Sequence, residues 1–163
     1  MTRLAAFGLL AALSSSGASA VCLLSDYSVQ SEFHRSDYVA RVQVQRETWL
    51  DMKWRPTRLK QPLQFGSLPS GLDPYAGANY RVRPTSQFKG RLPPQFDIFS
   101  ENTTGRFPFQ VGKDYLVFLD RAPSGDAYIR AGSLTADNCG NSGLWSESRR
   151  AATQVRGLAR EPR

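Results

Sequence analysis

Two stretches decide the fold: Tyr-Arg-Val-Arg-Pro-Thr-Ser-Gln-Phe-Lys-Gly at residues 80–90 and Gly-Lys-Asp-Tyr-Leu-Val-Phe-Leu at residues 112–119. The first is typical of a strand that ends in a Lys-Gly turn. The second is a Gly-led turn that runs directly into the most apolar strand of the chain. We expect the rest of the sequence to cover, extend or fasten a small β-barrel built on these two strands.

The first twenty residues have the pattern of a secretory signal peptide. Arg3 gives a positive start, residues 4–13 form an apolar core, and Ala-Ser-Ala at residues 18–20 is an A-x-A cleavage site. The apolar core is too short to cross a bilayer, and no other transmembrane span is expected. The sequence therefore predicts that residues 1–20 are removed and that the protein is secreted or periplasmic.

The chain has two cysteines, Cys22 and Cys139, and residues 21–163 have the size of one domain. In an oxidising compartment an isolated pair is expected to form a disulfide, with two free thiols as the alternative. Such a bridge would fasten the processed N-terminus near the far end of the sequence. The chain-entropy model gives it about 4–5 kcal/mol of stabilisation. Lipid attachment at Cys22 is disfavoured because Val21 is bulkier than the residue normally accepted before a lipidated cysteine.

The formal net charge of +7 is high for a small domain. A basic surface attracts nucleic acid, anionic polysaccharide or an acidic envelope surface, or it only aids solubility. Nucleic acid is not expected, because the export signal argues against it. The aromatic residues also alternate as core residues and do not line a basic groove.

The order of elements follows from the hydrophobic pattern. Residues 25–35 predict a short helix, residues 37–45 alternate as a half-buried strand, and residues 47–78 form a long irregular loop insertion. Further strands are predicted at residues 80–90, 95–100 and 114–120, the last pairing with residues 127–131 across a turn at residues 123–126. Residues 144–160 predict a basic amphipathic helix, which we expect to pack on the barrel and not on a membrane.

In this order the motifs resemble the netrin-like domain, the OB-type barrel in the N-terminal part of tissue inhibitors of metalloproteinases, and small secreted bacterial relatives of that domain. Phe-His-Arg-Ser-Asp-Tyr-Val-Ala-Arg-Val at residues 33–42 is similar to the family's Phe-x-x-Ser-Asp-x-Val-x-Arg-Ala pattern. Residues 80–90 resemble its Lys-Gly segment, residues 112–119 its Gly-led strand, and Cys139 its cysteine after the last barrel strand. The resemblance implies a mainly β fold. The barrel would be five-stranded, OB-type and Greek-key, with a short N-terminal helix and a C-terminal helix.

The family's inhibitory function depends on a chain that begins Cys-x-Cys, whose first residue ligates the protease zinc. By the resemblance, Cys139 corresponds to the partner of the second of these cysteines, so Cys22 takes the second position. Cleavage then leaves Val21 as the first residue, one short of the chelating position. The resemblance therefore implies a non-enzymatic binding module, and metalloproteinase inhibition is kept only as an alternative.

Catalytic and metal-binding patterns are sparse. His34 is the single histidine, so no second histidine stands at metal-ligand spacing. No Gly-x-Ser-x-Gly elbow or phosphate-binding Gly loop occurs. We therefore expect no enzyme activity, no metal and no cofactor.

Two binding surfaces are predicted. An unidentified protein partner, with a protease as one candidate, is expected at the processed N-terminus, the long loop and the Cys139 segment: Val21, Cys22, Leu23, Trp54, Asn138 and Asn141. An anionic polysaccharide or envelope surface is the alternative partner. It would bind the arginines of the C-terminal helix together with a basic cluster of the long loop: Lys53, Arg55, Arg58 and Lys60.

Overall fold

The computed structural model describes residues 26–58, 75–103, 105–124 and 129–161. Within these ranges the elements, in chain order, are α1 (Val29–Arg35), β1 (Tyr38–Asp51), β2 (Pro56–Thr57), β3 (Tyr75–Lys89), β4 (Phe96–Glu101), β5 (Asp114–Arg121), β6 (Leu134–Ala136), β7 (Gly143–Leu144) and α2 (Arg149–Leu158).

Five strands close into a barrel. β1 pairs antiparallel with β3, β3 with β4, and β6 with β5, while β4 and β6 pair in parallel. The circle is closed between β1 and β5, from Tyr38 opposite Leu119 to Gln43 opposite Asp114. The short strands β2 and β7 add to β1 and β5. The prediction of a mainly β, five-stranded OB-type barrel with two helices is confirmed.

β1 is the strand that makes closure possible. Its register against β3 shifts at four places. Extra residues in one strand bend it and increase its twist. The first half of β1 therefore reaches β5, and its second half continues along β3 as far as Asp51.

The barrel interior is filled by the alternating apolar residues of these strands. They include Ala40, Val42, Val44, Tyr80, Val82, Ile98, Tyr115, Val117 and Leu119, each at most 2% exposed. Full burial of a Val or Leu side chain stabilises the fold by roughly 1.5–3 kcal/mol. This interior is the main source of the barrel's stability.

A second apolar layer lies outside the barrel, under the two helices. Val29 and Phe33 of α1 and Ala152 and Val155 of α2 pack there with Val39, Leu116 and Phe118 of the strands. β1 and β5 are thus buried on both faces where the helices cover them. The prediction that the C-terminal helix packs on the barrel is confirmed.

The Lys-Gly turn holds α1 against the barrel. Lys89 Nζ donates to the carbonyl oxygens of Phe33, His34 and Ser36 at 2.8, 2.7 and 2.6 Å, so it caps the C-terminal end of α1. Gly90 has a φ of +71°, and a Cβ there would lie 2.4 Å from the Tyr38 ring. Only glycine fits this approach without strain.

The start of β1 and the end of β5 are joined by reciprocal hydrogen bonds. The Asp37 N–H donates to Asp120 Oδ1 at 3.1 Å, and the Arg121 N–H donates to Asp37 Oδ2 at 3.0 Å. Burial raises the pKa of Asp120. Asp37 of the Ser-Asp motif therefore links the start of β1 to the end of β5.

One strand prediction is wrong. β5 pairs with Leu134–Ala136 (β6), whereas residues 129–131 are not a strand and residues 125–128 lie outside the described part. The Ala122 N–H donates to the Ser133 carbonyl, and Gly132 turns the chain at a φ of +79°. The strand that pairs with β5 therefore begins after the turn at Gly132.

Three segments predicted from the sequence have other bounds than the elements in the structure. Of the helix predicted at residues 25–35, α1 covers Val29–Arg35, with Ser28 as its N-cap. Of residues 144–160, α2 covers Arg149–Leu158. The irregular segment predicted at residues 47–78 begins and ends within β1 and β3, and its residues 59–74 lie outside the described part.

Candidate functional site

The turn that joins β1 to β2, residues 51–55, forms a compact protrusion that we call the hairpin tip. The Asp51 N–H donates to the Arg55 carbonyl at 3.0 Å, and the Trp54 N–H donates to the Asp51 carbonyl at 2.8 Å. Asp51 Oδ1 also accepts from the backbone N–H groups of Lys53 and Arg55, at 2.8 and 3.0 Å. Asp51 therefore organises the whole turn from its first position.

An ion pair closes the hairpin tip. Arg55 Nε and Nη2 lie 3.0 and 2.8 Å from Asp51 Oδ2. The backbone hydrogen bond from Arg55, together with its side chain, lowers the pKa of Asp51 below the ordinary 3.8. The carboxylate that organises the turn is therefore charged throughout the neutral range.

Trp54 and Met52 are the large apolar side chains that the hairpin tip carries. Trp54 has a φ of +61°, a left-handed conformation that costs an L-residue about 1–2 kcal/mol. Its ring lies 5.0 Å from the ring of Phe99 on β4 and is half-buried. Met52 is 62% exposed. The turn thus holds an indole against the barrel and leaves a thioether side chain in solvent.

Three of the four residues of the predicted basic cluster lie within the described part of the chain. The guanidinium of Arg55 is taken up by Asp51. Lys53 and Arg58 are exposed, and Lys60 lies outside the described residues. The structure therefore places Lys53 in the hairpin tip and Arg58 directly after β2, and the four-residue anion site stays a prediction.

The Cys139 loop, residues 137–141, is bound to α1. The Asn141 backbone N–H and Nδ2 donate to Glu32 Oε2 at 2.6 and 2.7 Å, and Nδ2 also donates to the Tyr27 carbonyl at 2.6 Å. Within the loop, the Cys139 N–H donates to Asp137 Oδ1 at 2.7 Å. Asn141, a predicted partner-binding residue, therefore has a structural role.

Glu32 is the residue of this region that the sequence analysis missed. Its side chain is only 2% exposed, and burial raises its pKa above the ordinary 4.5 although the two Asn141 hydrogen bonds lower it. A Cβ on Gly140 would lie 2.0 Å from Glu32 Oε1, so the loop backbone sits directly on the carboxylate. The signal was present, because Glu32 shares the apolar face of Val29 and Phe33.

The predicted partner-binding residues are held by different elements of the fold. Trp54 packs on β4, whereas Asn141 is fastened to α1 and Asn138 is exposed in the same loop. Val21, Cys22 and Leu23 lie outside the described residues. The disulfide between Cys22 and Cys139 therefore stays a prediction, as does the joint docking region that depends on it.

The described residues hold no group of three or more His, Cys, Asp or Glu that could bind a metal. The side chain of His34 is exposed, and its ring packs edge-on at 6.0 Å from Phe33. In the same part of the chain, neither helix has the length and apolarity needed to cross a membrane.

No protein-family model matches the chain, and no curated protein matches it at a significant level. The resemblance to the netrin-like domain therefore stays a prediction from the motif residues. For binding, the geometry offers a hydrogen-bonded hairpin tip that carries Met52 and Trp54, and a polar loop that is anchored to α1.

Proposed function

We propose that the chain is a secreted, non-enzymatic binding module of the netrin-like type, which docks a protein partner on its hairpin tip. The observation that carries this proposal is the rigid turn at residues 51–55, which holds Trp54 in a left-handed conformation and projects Met52 into solvent. Strained backbone that the surrounding structure holds in place is typical of functional positions.

The netrin-like assignment is supported by what the motif residues do. Lys89 and Gly90 of the Lys-Gly segment seat α1 on the barrel, and Asp37 of the Ser-Asp motif links β1 to β5. Residues that are far apart in the sequence thus meet at one end of the barrel. In this proposal a Cys22–Cys139 bridge would bring the processed N-terminus to the anchored loop.

The composition of the hairpin tip suits a protein interface. Trp, Met and Arg are enriched where proteins meet, and Trp and Arg are frequent among the residues that dominate binding energy. The hydrogen bonds of Asp51 order the turn before any partner arrives, which reduces the entropy cost of binding. Lys53 and Arg58 on the rim favour a partner with an apolar pocket and acidic surroundings.

Metalloproteinase inhibition, the alternative that the resemblance implies, would depend on Val21 as the first residue. Val21 lies outside the described residues, so no described contact favours this alternative.

The test compares three versions of the mature chain: the wild type, a Met52→Ser/Trp54→Gly variant, and a Val111→Ser control. Val111 is a large apolar side chain, 53% exposed, and its neighbour Gly112 hydrogen-bonds to Val44, seven residues before the hairpin tip. Glycine accepts the left-handed φ at position 54, and the strain that it regains, about 1 kcal/mol, offsets part of the lost packing of the indole on Phe99. The melting temperature of each version is measured first, and binding is compared at a temperature at which all three are folded.

Each version is tagged at its C-terminus and incubated with the extracellular and envelope fractions of the source organism, and captured proteins are quantified by mass spectrometry. We expect at least one protein that the wild type and the Val111→Ser control retain and that the tip variant loses by about tenfold or more. Identical capture by the wild type and the tip variant would exclude the hairpin tip as the docking surface.

A further inference from the structure

A basic groove, remote in sequence from the hairpin tip, lies between α2 and the adjoining parts of β1 and β5. Its volume is about 680 Å³. The charged and aromatic residues that line it are Arg41, Lys113, Asp114, Trp145, Arg149 and Arg156. We propose that this groove binds an acidic polysaccharide through its carboxylate or sulfate groups. The proposal is independent of the protein-docking function.

The charge of the groove favours an anion. Four of the lining side chains are cationic and one is a carboxylate. That carboxylate, Asp114, forms an ion pair with Arg41, whose Nε lies 3.0 Å from Asp114 Oδ2. Among the described residues, Lys113, Arg149 and Arg156 form no ion pair, and all three are exposed. The groove therefore keeps a positive excess of three charges.

Trp145 fixes two of the guanidinium groups. The Cζ atoms of Arg41 and Arg156 lie 4.6 and 5.4 Å from the centroid of its ring. Attraction to the indole offsets part of the repulsion between these two like charges and favours their positions beside the ring. Arg41 is held again by Asp114, so part of the anion-binding surface is ordered without a ligand.

α2 forms the wall of the groove that faces the residues of β1 and β5. Arg149 and Arg156 are seven residues apart, two helical turns, and therefore project from the same face. Between them along that face lie Ala152, which is buried, and Thr153. These short side chains leave space between the two arginines. This wall of the groove thus has short side chains at its centre and a basic side chain at each end.

The chemistry of the lining indicates the ligand. A guanidinium group can bind two oxygens of one carboxylate, sulfate or phosphate group through two parallel N–H donors. A recessed groove admits a single polymer strand more readily than the flat surface of a bilayer. Nucleic acid is less suited, because guanidinium groups already occupy the Trp145 ring on which a base would stack. An acidic polysaccharide meets these conditions, and it agrees with the predicted export of the chain.

The test measures binding of the folded mature chain to three probes of matched length: a polyuronate, a sulfated dextran and uncharged dextran. Two double variants are compared: Arg149→Ser/Arg156→Ser in the groove, and Arg150→Ser/Arg160→Ser on and just after α2, outside the groove. All four arginines are exposed, and both variants lose two charges. The groove variant should bind a charged probe on the order of tenfold more weakly than the control variant. Equal losses in both variants would mean that only net charge matters and would overturn the proposal.

A third variant, Trp145→Leu, keeps every charge and removes the ring that holds Arg41 and Arg156. We expect its affinity for the charged probes to fall about threefold or more while its helical circular dichroism is retained. Vesicles with one third phosphatidylglycerol and a DNA duplex serve as competing probes in 150 mM salt. Tighter binding of either one than of both acidic polysaccharides, or equal binding of uncharged dextran, would overturn the assignment.

Discussion

Replacing Glu32 by Ala removes the acceptor that binds the Cys139 loop to α1. The carboxylate is 2% exposed and accepts two hydrogen bonds from Asn141, at 2.6 and 2.7 Å. Leaving a buried donor without its acceptor costs about 1–3 kcal/mol. Since the Asn141 amide keeps its bond to the Tyr27 carbonyl, we expect a total loss of about 3 kcal/mol in the free energy of unfolding.

The matched variant is Glu32→Gln, whose side-chain oxygen can accept the same two hydrogen bonds without a buried charge. At pH 7 we expect it to lose less than about 1 kcal/mol, and to retain the loop in place. Denaturant unfolding of the wild type and both variants, followed by circular dichroism, measures the difference. An Ala variant as stable as the Gln variant would refute the role of Glu32 as the anchor of the loop.

The wild type and Glu32→Gln also provide a test by pH. Burial raises the pKa of Glu32 above 4.5 in the folded state, so the folded protein holds this proton more tightly than the unfolded chain does. The stability that this proton contributes is fully present below the unfolded pKa and is lost as pH rises through the folded pKa. The stability of the wild type relative to Glu32→Gln should therefore fall as pH rises above 4.5. A difference that rises with pH would contradict the burial of this carboxylate.

Three further predictions concern the barrel. Lys89→Met removes the donor to three carbonyl oxygens at the end of α1 and should lower the free energy of unfolding by about 3 kcal/mol in denaturant titrations; an unchanged midpoint would exclude the cap. Gly90→Ala should destabilise more than Gly112→Ala, because both have positive φ but only at position 90 would the new Cβ meet neighbouring atoms within 4 Å; melting temperatures that are equal would count against this packing. Burial raises the pKa of Tyr80 to about 12, so Tyr80 should stay protonated at pH values at which exposed tyrosines ionise. Tyr80→Phe should therefore leave the tyrosine absorbance titration unchanged up to about pH 11. A smaller absorbance change in the variant below that pH would contradict the burial of Tyr80.

The barrel itself was predictable because its signals are local. Alternation in β1 and the apolar run of β5 are read directly from neighbouring residues, and the stripe of α2 has helical spacing. β6 was missed because three residues, Leu134–Ala136, are too short for a periodic pattern. Val39 breaks the expected alternation since it lies under the helices, a consequence of tertiary packing alone.

The candidate sites were less predictable because they are assembled from distant parts of the chain. Trp54 was identified by residue type, but its left-handed backbone and its contact with Phe99 depend on the fold. Arg41 and Trp145 meet only after β1 and β5 pair and α2 packs beside them. Glu32 could have been suspected, since a carboxylate on an apolar helix face requires a buried partner.

The most direct test of the binding-module account is photo-crosslinking from the hairpin tip. A benzophenone amino acid is placed at position 52 in one protein and at position 111 in another, both sites being exposed. Each protein is irradiated in the extracellular and envelope fractions of the source organism. We expect a discrete crosslinked protein from position 52 that is missing from position 111. The same products from both positions, or none from position 52, would contradict the account.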